Sequence, residues 1–292
     1  PPRSTLFPYT TLFRSAGDYV DNFTDPVTGL PVFSIYGKTR KPTREMLQGI
    51  DVLVYDIQDI GSRSYTYIST LGLAMEAAAE NNIEFVVLDR PNPLGGIKME
   101  GLLTKPGFFS FVSQFPVPYI HGLTVGELAL YLNNEGLLSN GVKCKLTVIP
   151  MNGWKRKMRF EETGLPWVPT SPHIPHGYTP EYYPVSGILG ELYVMNIGVG
   201  YTLPFQLIAA EWIDAEKLTA ALNNLHLPGV MFRPVHFTPY YSVSKGTMVH
   251  GVQVHITGFR QANLTLVQFY LLQEYKISLT KMKAPEIREL SV

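Results

Sequence analysis

The sequence predicts an α/β protein in which a larger first domain has a parallel sheet and a smaller second domain is α+β. Two apolar segments rich in β-branched residues, DVLVYD at 51–56 and IEFVVLD at 83–89, each end in an aspartate. Between them, apolar residues recur at helical spacing from Ile68 to Ala79, and Asn81 and Asn82 stop the helix. Strand, helix and strand in this order indicate a βαβ unit, and we expect both strands to be buried and parallel.

The elements that follow place a domain boundary near Gly164. Thr124 and Glu127 form a T-x-x-E capping box for a helix that ends at Gly136. Glu127 is therefore interpreted as a cap and not as a catalyst. Residues 143–150 alternate as a strand, and a proline-rich stretch follows from 164 to 184. The predicted domains are residues 16–163 and 164–275.

Strands and helices alternate less regularly in the second predicted domain, which favours an α+β arrangement. A helix begins at Asp214, strands are expected near 230–237 and 251–257, and a last helix covers 263–275. Residues 276–292 are polar and without pattern, and we interpret them as a tail.

Composition narrows the class of function. The chain has 292 residues, and its 24 basic and 24 acidic residues cancel, so nothing in the total charge suits nucleic acid or an anionic membrane. No apolar run approaches the roughly 20 residues of a membrane span. The single cysteine, Cys144, is expected to be a buried small hydrophobe. A small-molecule substrate is the better expectation.

The first fifteen residues are set aside. TLFPYTTLFRS at 5–15 looks like the translation of a sequencing adapter joined to a gene fragment. We therefore interpret residues 1–15 as an artefact that packs weakly, and we expect the native start of the protein, with any signal peptide, to be missing.

Polar side chains crowd the ends of the two predicted strands. DIQDIGSRSYTY occupies 56–67 and LDRPNPLGG occupies 88–96. Because ligands of open parallel sheets bind outside the carboxyl ends of the strands, these segments predict one crevice for a polar ligand with a carboxylate and ring faces, such as a sugar acid. Structural alternatives stay open, with Asp59 as a helix cap, Arg63 as its ion-pair partner, the tyrosines as packing residues and the second segment as a turn.

The best-known motifs for nucleotides, serine nucleophiles and zinc are absent from the sequence. Gly198 and Gly200 lack the third glycine of a dinucleotide fingerprint, and the spacing of His173 and His176 fits no common metal pair. We expect neither a metal nor a cofactor. A nucleotide-dependent transferase remains a third hypothesis.

Several blocks together resemble one family: VYDIQDIGSRSYTYISTL, VLDRPNPLGG with Glu100, HGLTVGELA from His121, WVPTSP from Trp167 and HGVQVHIT from His250. The chain resembles the exo-β-N-acetylmuramidases, once known only as a domain of unknown function. The resemblance implies a Rossmann-like domain, a smaller domain and a cleft in which N-acetylmuramic acid is released from the non-reducing end of peptidoglycan fragments. It also implies an extracytoplasmic location.

The resemblance suggests roles for particular residues. The candidate catalytic carboxylates are Asp56, Asp59 and Glu191. Candidate substrate-binding residues are Gln58, Arg63, Tyr65, Tyr67, Asp89, Arg90, Asn92, Glu100 and His121. Arg63 or Arg90 would hold the lactyl carboxylate of muramic acid, and Gln58 or Asn92 would bind its acetamido group.

Two departures from the family pattern qualify this expectation. The family's Pro-Glu-His-Gly stretch, whose glutamate is a candidate acid, is missing upstream of Ala16, and Val199 stands where an arginine is common. We therefore predict an N-terminally truncated chain that is inactive as it stands. The alternative hypothesis is a non-catalytic carbohydrate-binding or cell-wall-sensing protein on the same scaffold.

Overall fold

The computed structural model describes residues 21–281, so the segment interpreted as an artefact, residues 1–15, lies outside it. The chain forms two compact units that divide between Pro180 and Glu181, later than the boundary predicted near Gly164. The reason is that the proline-rich segment packs on the first unit. The ring of Trp167 lies 4.7 Å from that of Phe160, and the Thr170 hydroxyl donates to the carbonyl of Gln58 at 2.6 Å.

The first unit contains a three-stranded parallel sheet in the order β3 (Val52–Tyr55), β4 (Glu84–Leu88) and β5 (Leu146–Ile149), which confirms the predicted βαβ unit. Phe85 of β4 pairs with Leu53 of β3 on one side and with Leu146 of β5 on the other. Two short strands precede this sheet and pair antiparallel with each other. The elements are β1 (Phe23–Thr24), β2 (Pro31–Val32), β3 (Val52–Tyr55), α1 (Tyr67–Glu80), β4 (Glu84–Leu88), α2 (Val125–Asn134) and β5 (Leu146–Ile149), with short 3-10 helices at Ser139–Gly141 and Phe160–Thr163.

Both helices of this unit pack on one face of the parallel sheet. The strands follow one another in sequence order, and right-handed crossovers in the same direction place α1 and α2 on the same side. The core between them includes Tyr55, Phe85 and Val87, all nearly inaccessible. On the opposite face, Val54 and Ile149 are 37% and 49% exposed. The prediction that both strands are buried therefore holds for one face of the sheet only.

Local signals in the sequence set the helix ends. The amide of Glu127 donates to the Thr124 hydroxyl at 3.1 Å, and the amide of Thr124 donates to the Glu127 carboxylate at 3.0 Å, which confirms the capping box of α2. Gly136 follows with a φ of 64°. Cys144 is buried as predicted, and burial raises the pKa of its thiol to about 11.

The second unit is built on an antiparallel sheet in which β8 (Val249–Ile256) lies between β6 (Leu207–Ala210) and β7 (Val230–Phe237). Its elements are α3 (Thr179–Gly190), which begins in the last residues of the first unit, β6 (Leu207–Ala210), α4 (Ala215–Asn224), β7 (Val230–Phe237), β8 (Val249–Ile256) and α5 (Leu264–Lys281). Asp214 caps α4 as predicted, because its side chain accepts from the amide of Lys217.

The last helix, α5, is longer than predicted and includes residues that were interpreted as tail. Its Tyr275 is buried and donates a hydrogen bond to the carbonyl of Ile208 at 2.8 Å, which ties α5 to β6. Among the residues that the structure describes, no helix combines the length and apolar character that crossing a membrane requires.

Candidate functional site

An ion pair joins the carboxyl ends of the first two parallel strands. Nε of Arg90, which follows β4, lies 2.6 Å from Oδ1 of Asp56, which follows β3. Both side chains are partly exposed, at 41% for Arg90 and 28% for Asp56. The two strand ends therefore meet as the sequence predicts, and they present a charged pair to solvent.

Gln58 links the two strand-end segments through hydrogen bonds of its side chain. Its amide nitrogen donates to the carbonyls of Asp59 and Pro91, at 2.7 and 2.8 Å. The carbonyl of Gln58 in turn accepts from Thr170. Thr170 lies in the WVPTSP block, but sequence reasoning gave it no part in the site because no pattern relates it to Gln58.

Asp59 and His121 form a buried pair. Nδ1 of His121 accepts from the amide of Leu123 at 3.2 Å, so the proton of the neutral ring is on Nε2. Nε2 lies 3.3 Å from Oδ2 of Asp59, an ion-pair distance without the alignment of a hydrogen bond. Oδ2 accepts instead from the amide of Gly61 at 2.7 Å. Within the described residues, Oδ1 of Asp59 and Nε2 of His121 are left without a hydrogen-bond partner.

This arrangement departs from two of the structural alternatives that the sequence left open, those for Asp59 and Arg63. Asp59 does not cap α1, whose N-cap residue is Thr66. Arg63 does not pair with Asp59, since its Nη1 donates to the backbone carbonyls of Leu102 and Val117. Because an unsatisfied buried carboxylate oxygen is unfavourable, its presence here indicates a place where a water molecule or a substrate group is to be bound.

Asp89 and Asn92 have partners within the protein. Oδ1 of Asp89 accepts from the amide of Gly126 at 2.8 Å, Oδ2 accepts from the Thr124 hydroxyl at 2.9 Å, and burial raises the pKa of Asp89. Asn92 is buried, donates to the carbonyl of Leu123 and accepts from the amide of Leu94. These bonds join β4 to the start of α2, so we place both residues in the framework of the site. Their predicted contacts with substrate stay predictions.

The remaining predicted residues of the first unit surround this framework. The guanidinium of Arg63 lies 5.7 Å from the ring centroid of Tyr119. Burial lowers the pKa of Arg63. Lys98 pairs with Glu100 at 2.7 Å, and the backbone of Glu100 pairs with Ile120 beside His121.

Glu191 belongs to the second unit, where it directly follows α3 and is exposed. No group of three or more metal-ligating side chains occurs between residues 21 and 281.

Two tyrosines lie where the first strand-end segment enters α1. The rings of Tyr65 and Tyr67 are 5.2 Å apart and nearly perpendicular. The Tyr67 hydroxyl donates to the carbonyl of Thr170, and burial raises the pKa of Tyr67 from its ordinary value of 10.0 to about 12.

The raised pKa of Tyr67 predicts a loss of stability in alkali. The folded state keeps the Tyr67 proton at pH values where the unfolded chain has released it, so this stability is complete below pH 10 and is lost as pH rises towards 12. We expect the free energy of unfolding to fall less steeply between these pH values in Tyr67→Phe than in the wild type. Urea unfolding at several pH values measures both slopes. Tyr131→Phe, at an exposed tyrosine of α2, is the control and keeps the wild-type slope.

The fold and the strand-end residues together define a two-unit α/β protein with a charged, carboxylate-bearing edge suited to a small polar ligand. A protein-family model described as exo-beta-N-acetylmuramidase NamZ, N-terminal, matches residues 12–177. A second family model, described as exo-beta-N-acetylmuramidase NamZ, C-terminal, matches residues 181–286. The chain belongs to the NamZ family. The first match overlaps the end of the segment interpreted as an artefact, and the two matches divide where the structure does.

Individual relatives agree with this assignment. The peptidoglycan β-N-acetylmuramidase NamZ of Bacillus subtilis is 49% identical over 242 residues, which are 83% of this chain and 57% of that protein. A crystal structure of a DUF1343 family protein from Bacteroides fragilis is 63% identical, with a TM-score of 0.86 over 89% of this chain and 67% of its own. A second DUF1343 structure from that organism is 30% identical, with a TM-score of 0.65 over 78% of this chain and 59% of its own. The chain thus spans little more than half of the curated relative.

Proposed function

We propose that this chain is part of a peptidoglycan glycosidase that releases N-acetylmuramic acid from the non-reducing end of peptidoglycan fragments. The observation that carries the proposal is the pair of carboxylates that follow β3 in different environments. Asp56 is partly exposed and ion-paired with Arg90, whereas Asp59 is buried beside His121 with one oxygen unpartnered among the described residues. Most glycoside hydrolases use two carboxyl groups with different tasks, and different surroundings separate those tasks.

The substrate class fits the groups around these carboxylates. N-acetylmuramic acid carries a lactyl carboxylate, and Arg90 is the better candidate to hold it because its side chain is 41% exposed. Nη1 of Arg63 is already bound to two backbone carbonyls. Tyr65 and Tyr67 offer ring surface beside the same strand end. Glu191 of the second unit remains a third candidate carboxylate, and we propose an extracytoplasmic location because the substrate lies outside the cytoplasm.

The proposal is tested with a disaccharide in which N-acetylmuramic acid is β-1,4-linked to N-acetylglucosamine. The chain is assayed beside a version in which the corresponding segment of a relative replaces residues 1–15. We expect free N-acetylmuramic acid from the version that carries the relative's segment. Binding of the disaccharide without hydrolysis by either version would contradict the proposal and favour the alternative, a non-catalytic carbohydrate-binding protein on this scaffold.

A further inference from the structure

The second unit carries an exposed pair of tyrosines in the loop between β7 and β8. Tyr240 is 61% exposed and Tyr241 is 37% exposed, and their ring centroids lie 5.5 Å apart with the planes inclined by 52°. Met248, at the end of the same loop, is 51% exposed. We call residues 238–248 the tyrosine loop. It presents adjoining apolar side chains to solvent, which marks a surface for binding more often than a single exposed residue does.

The backbone of the tyrosine loop is held in place by one buried side chain. Asn196 is 1% exposed, and its amide nitrogen donates to the carbonyls of Val199 and Val243, at 3.1 and 2.9 Å. The amide of Tyr240 also donates to the carbonyl of Gly200 at 2.9 Å. Because these bonds hold the backbone before any ligand arrives, little additional ordering is required to present the two rings.

The backbone of the tyrosine loop adopts conformations that side chains disfavour. Ser242 and Ser244 have φ values of 71° and 58°, in the left-handed region. Gly200, with a φ of 87°, lies so close that a Cβ there would be 1.9 Å from the carbonyl oxygen of Tyr241. Strained positions of this kind persist where the surrounding structure enforces them, and they concentrate at binding sites.

We propose that the tyrosine loop binds a β-1,4-linked N-acetylhexosamine chain, as a glycan-binding site of the second unit. The inference rests on the proposed function for its choice of glycan. In such a chain the ring substituents are equatorial, so the axial C–H bonds form an apolar face that packs on an aromatic ring. The same loop carries four hydroxyl side chains of the kind that bond sugar hydroxyls and acetamido groups. They belong to Thr238, Ser242, Ser244 and Thr247.

The low charge of the tyrosine loop favours a glycan over a nucleic acid as its ligand. Lys245 is its one charged residue, whereas single-stranded nucleic acids require a basic groove beside the aromatic rings. The spacing of the two ring centroids is comparable with the length of one sugar unit in a β-1,4-linked chain. Neutral glycan chemistry therefore fits the loop better than a polyanion does.

The test uses tetra-N-acetylchitotetraose, a β-1,4-linked N-acetylglucosamine tetramer without muramic acid, titrated calorimetrically into the full chain. We expect binding, a loss of about five- to tenfold in affinity for Tyr240→Ala and for Tyr241→Ala, and wild-type affinity for Tyr240→Phe, which keeps the ring. Tyr193→Ala removes another exposed tyrosine of the same unit and is the matched control.

The outcomes separate this inference from the proposed function. Tyrosine-dependent binding of the tetramer without hydrolysis of the muramic acid disaccharide would support the glycan-binding site and contradict only the proposed activity. Hydrolysis of the disaccharide without binding of the tetramer would overturn the glycan-binding site. Equal affinities for the wild type, Tyr240→Ala and Tyr241→Ala, or an equal loss in Tyr193→Ala, would also overturn it.

Discussion

Gly251→Ala is expected to lower the free energy of unfolding of the second unit by about 3 kcal/mol. Gly251 lies in β8, the central strand of the antiparallel sheet, and pairs with Ala209 of β6. A Cβ at Gly251 would lie 2.0 Å from the carbonyl oxygen of Ile208 and 2.6 Å from Cα of Ala209. Neither atom can rotate away, so β6 and β8 would have to separate and lose sheet hydrogen bonds.

The matched control is Gly246→Ala in the same unit. Gly246 has a φ of 78°, but a Cβ added there would have no atom within 4 Å, so that substitution measures backbone strain alone, about 1 kcal/mol. Urea unfolding followed by the fluorescence of Trp212, which packs edge-on against Tyr275 in this unit, reports the transition. Equal destabilisation of the two variants would show that β6 does not approach Gly251 as closely as the structure indicates.

The features that the sequence predicted correctly depend on neighbouring residues. The capping box of Thr124 and Glu127 and the N-cap at Asp214 are complete within one helical turn. The βαβ unit needs only two apolar strands and the helix between them, because the handedness of the connection brings the strands together. The meeting of Asp56 and Arg90 follows from that unit, since parallel strands end at the same edge of the sheet.

The features that the sequence could not predict depend on pairs that are distant in the chain. Asp89 and Asn92 form hydrogen bonds with residues at the start of α2, more than 30 positions along the chain. Nothing local indicates that His121 faces Asp59 or that Thr170 packs over Gln58. The domain boundary was predicted too early because a proline-rich composition does not reveal which unit such a segment packs against.

Asp59→Asn is expected to reduce the release of N-acetylmuramic acid by about 100-fold or more, in whichever form of the protein hydrolyses the disaccharide. The substitution keeps an oxygen to accept from the amide of Gly61, so the fold around residue 59 is preserved. It removes the capacity to exchange a proton at Oδ1, the oxygen without a partner in the described structure. The effect should therefore fall on kcat and leave the melting temperature nearly unchanged.

The control for this prediction is Asp51→Asn, which changes an exposed aspartate beside the opposite end of β3. It should retain wild-type kcat, because its side chain lies away from the strand ends where Asp56 and Asp59 meet Arg90 and His121. His121→Ala adds a second comparison: if the ring positions the Asp59 proton, it also lowers kcat and shifts the pH profile. More than a tenth of wild-type kcat/KM in Asp59→Asn would exclude Asp59 as a proton-transfer group and direct attention to Asp56 and Glu191.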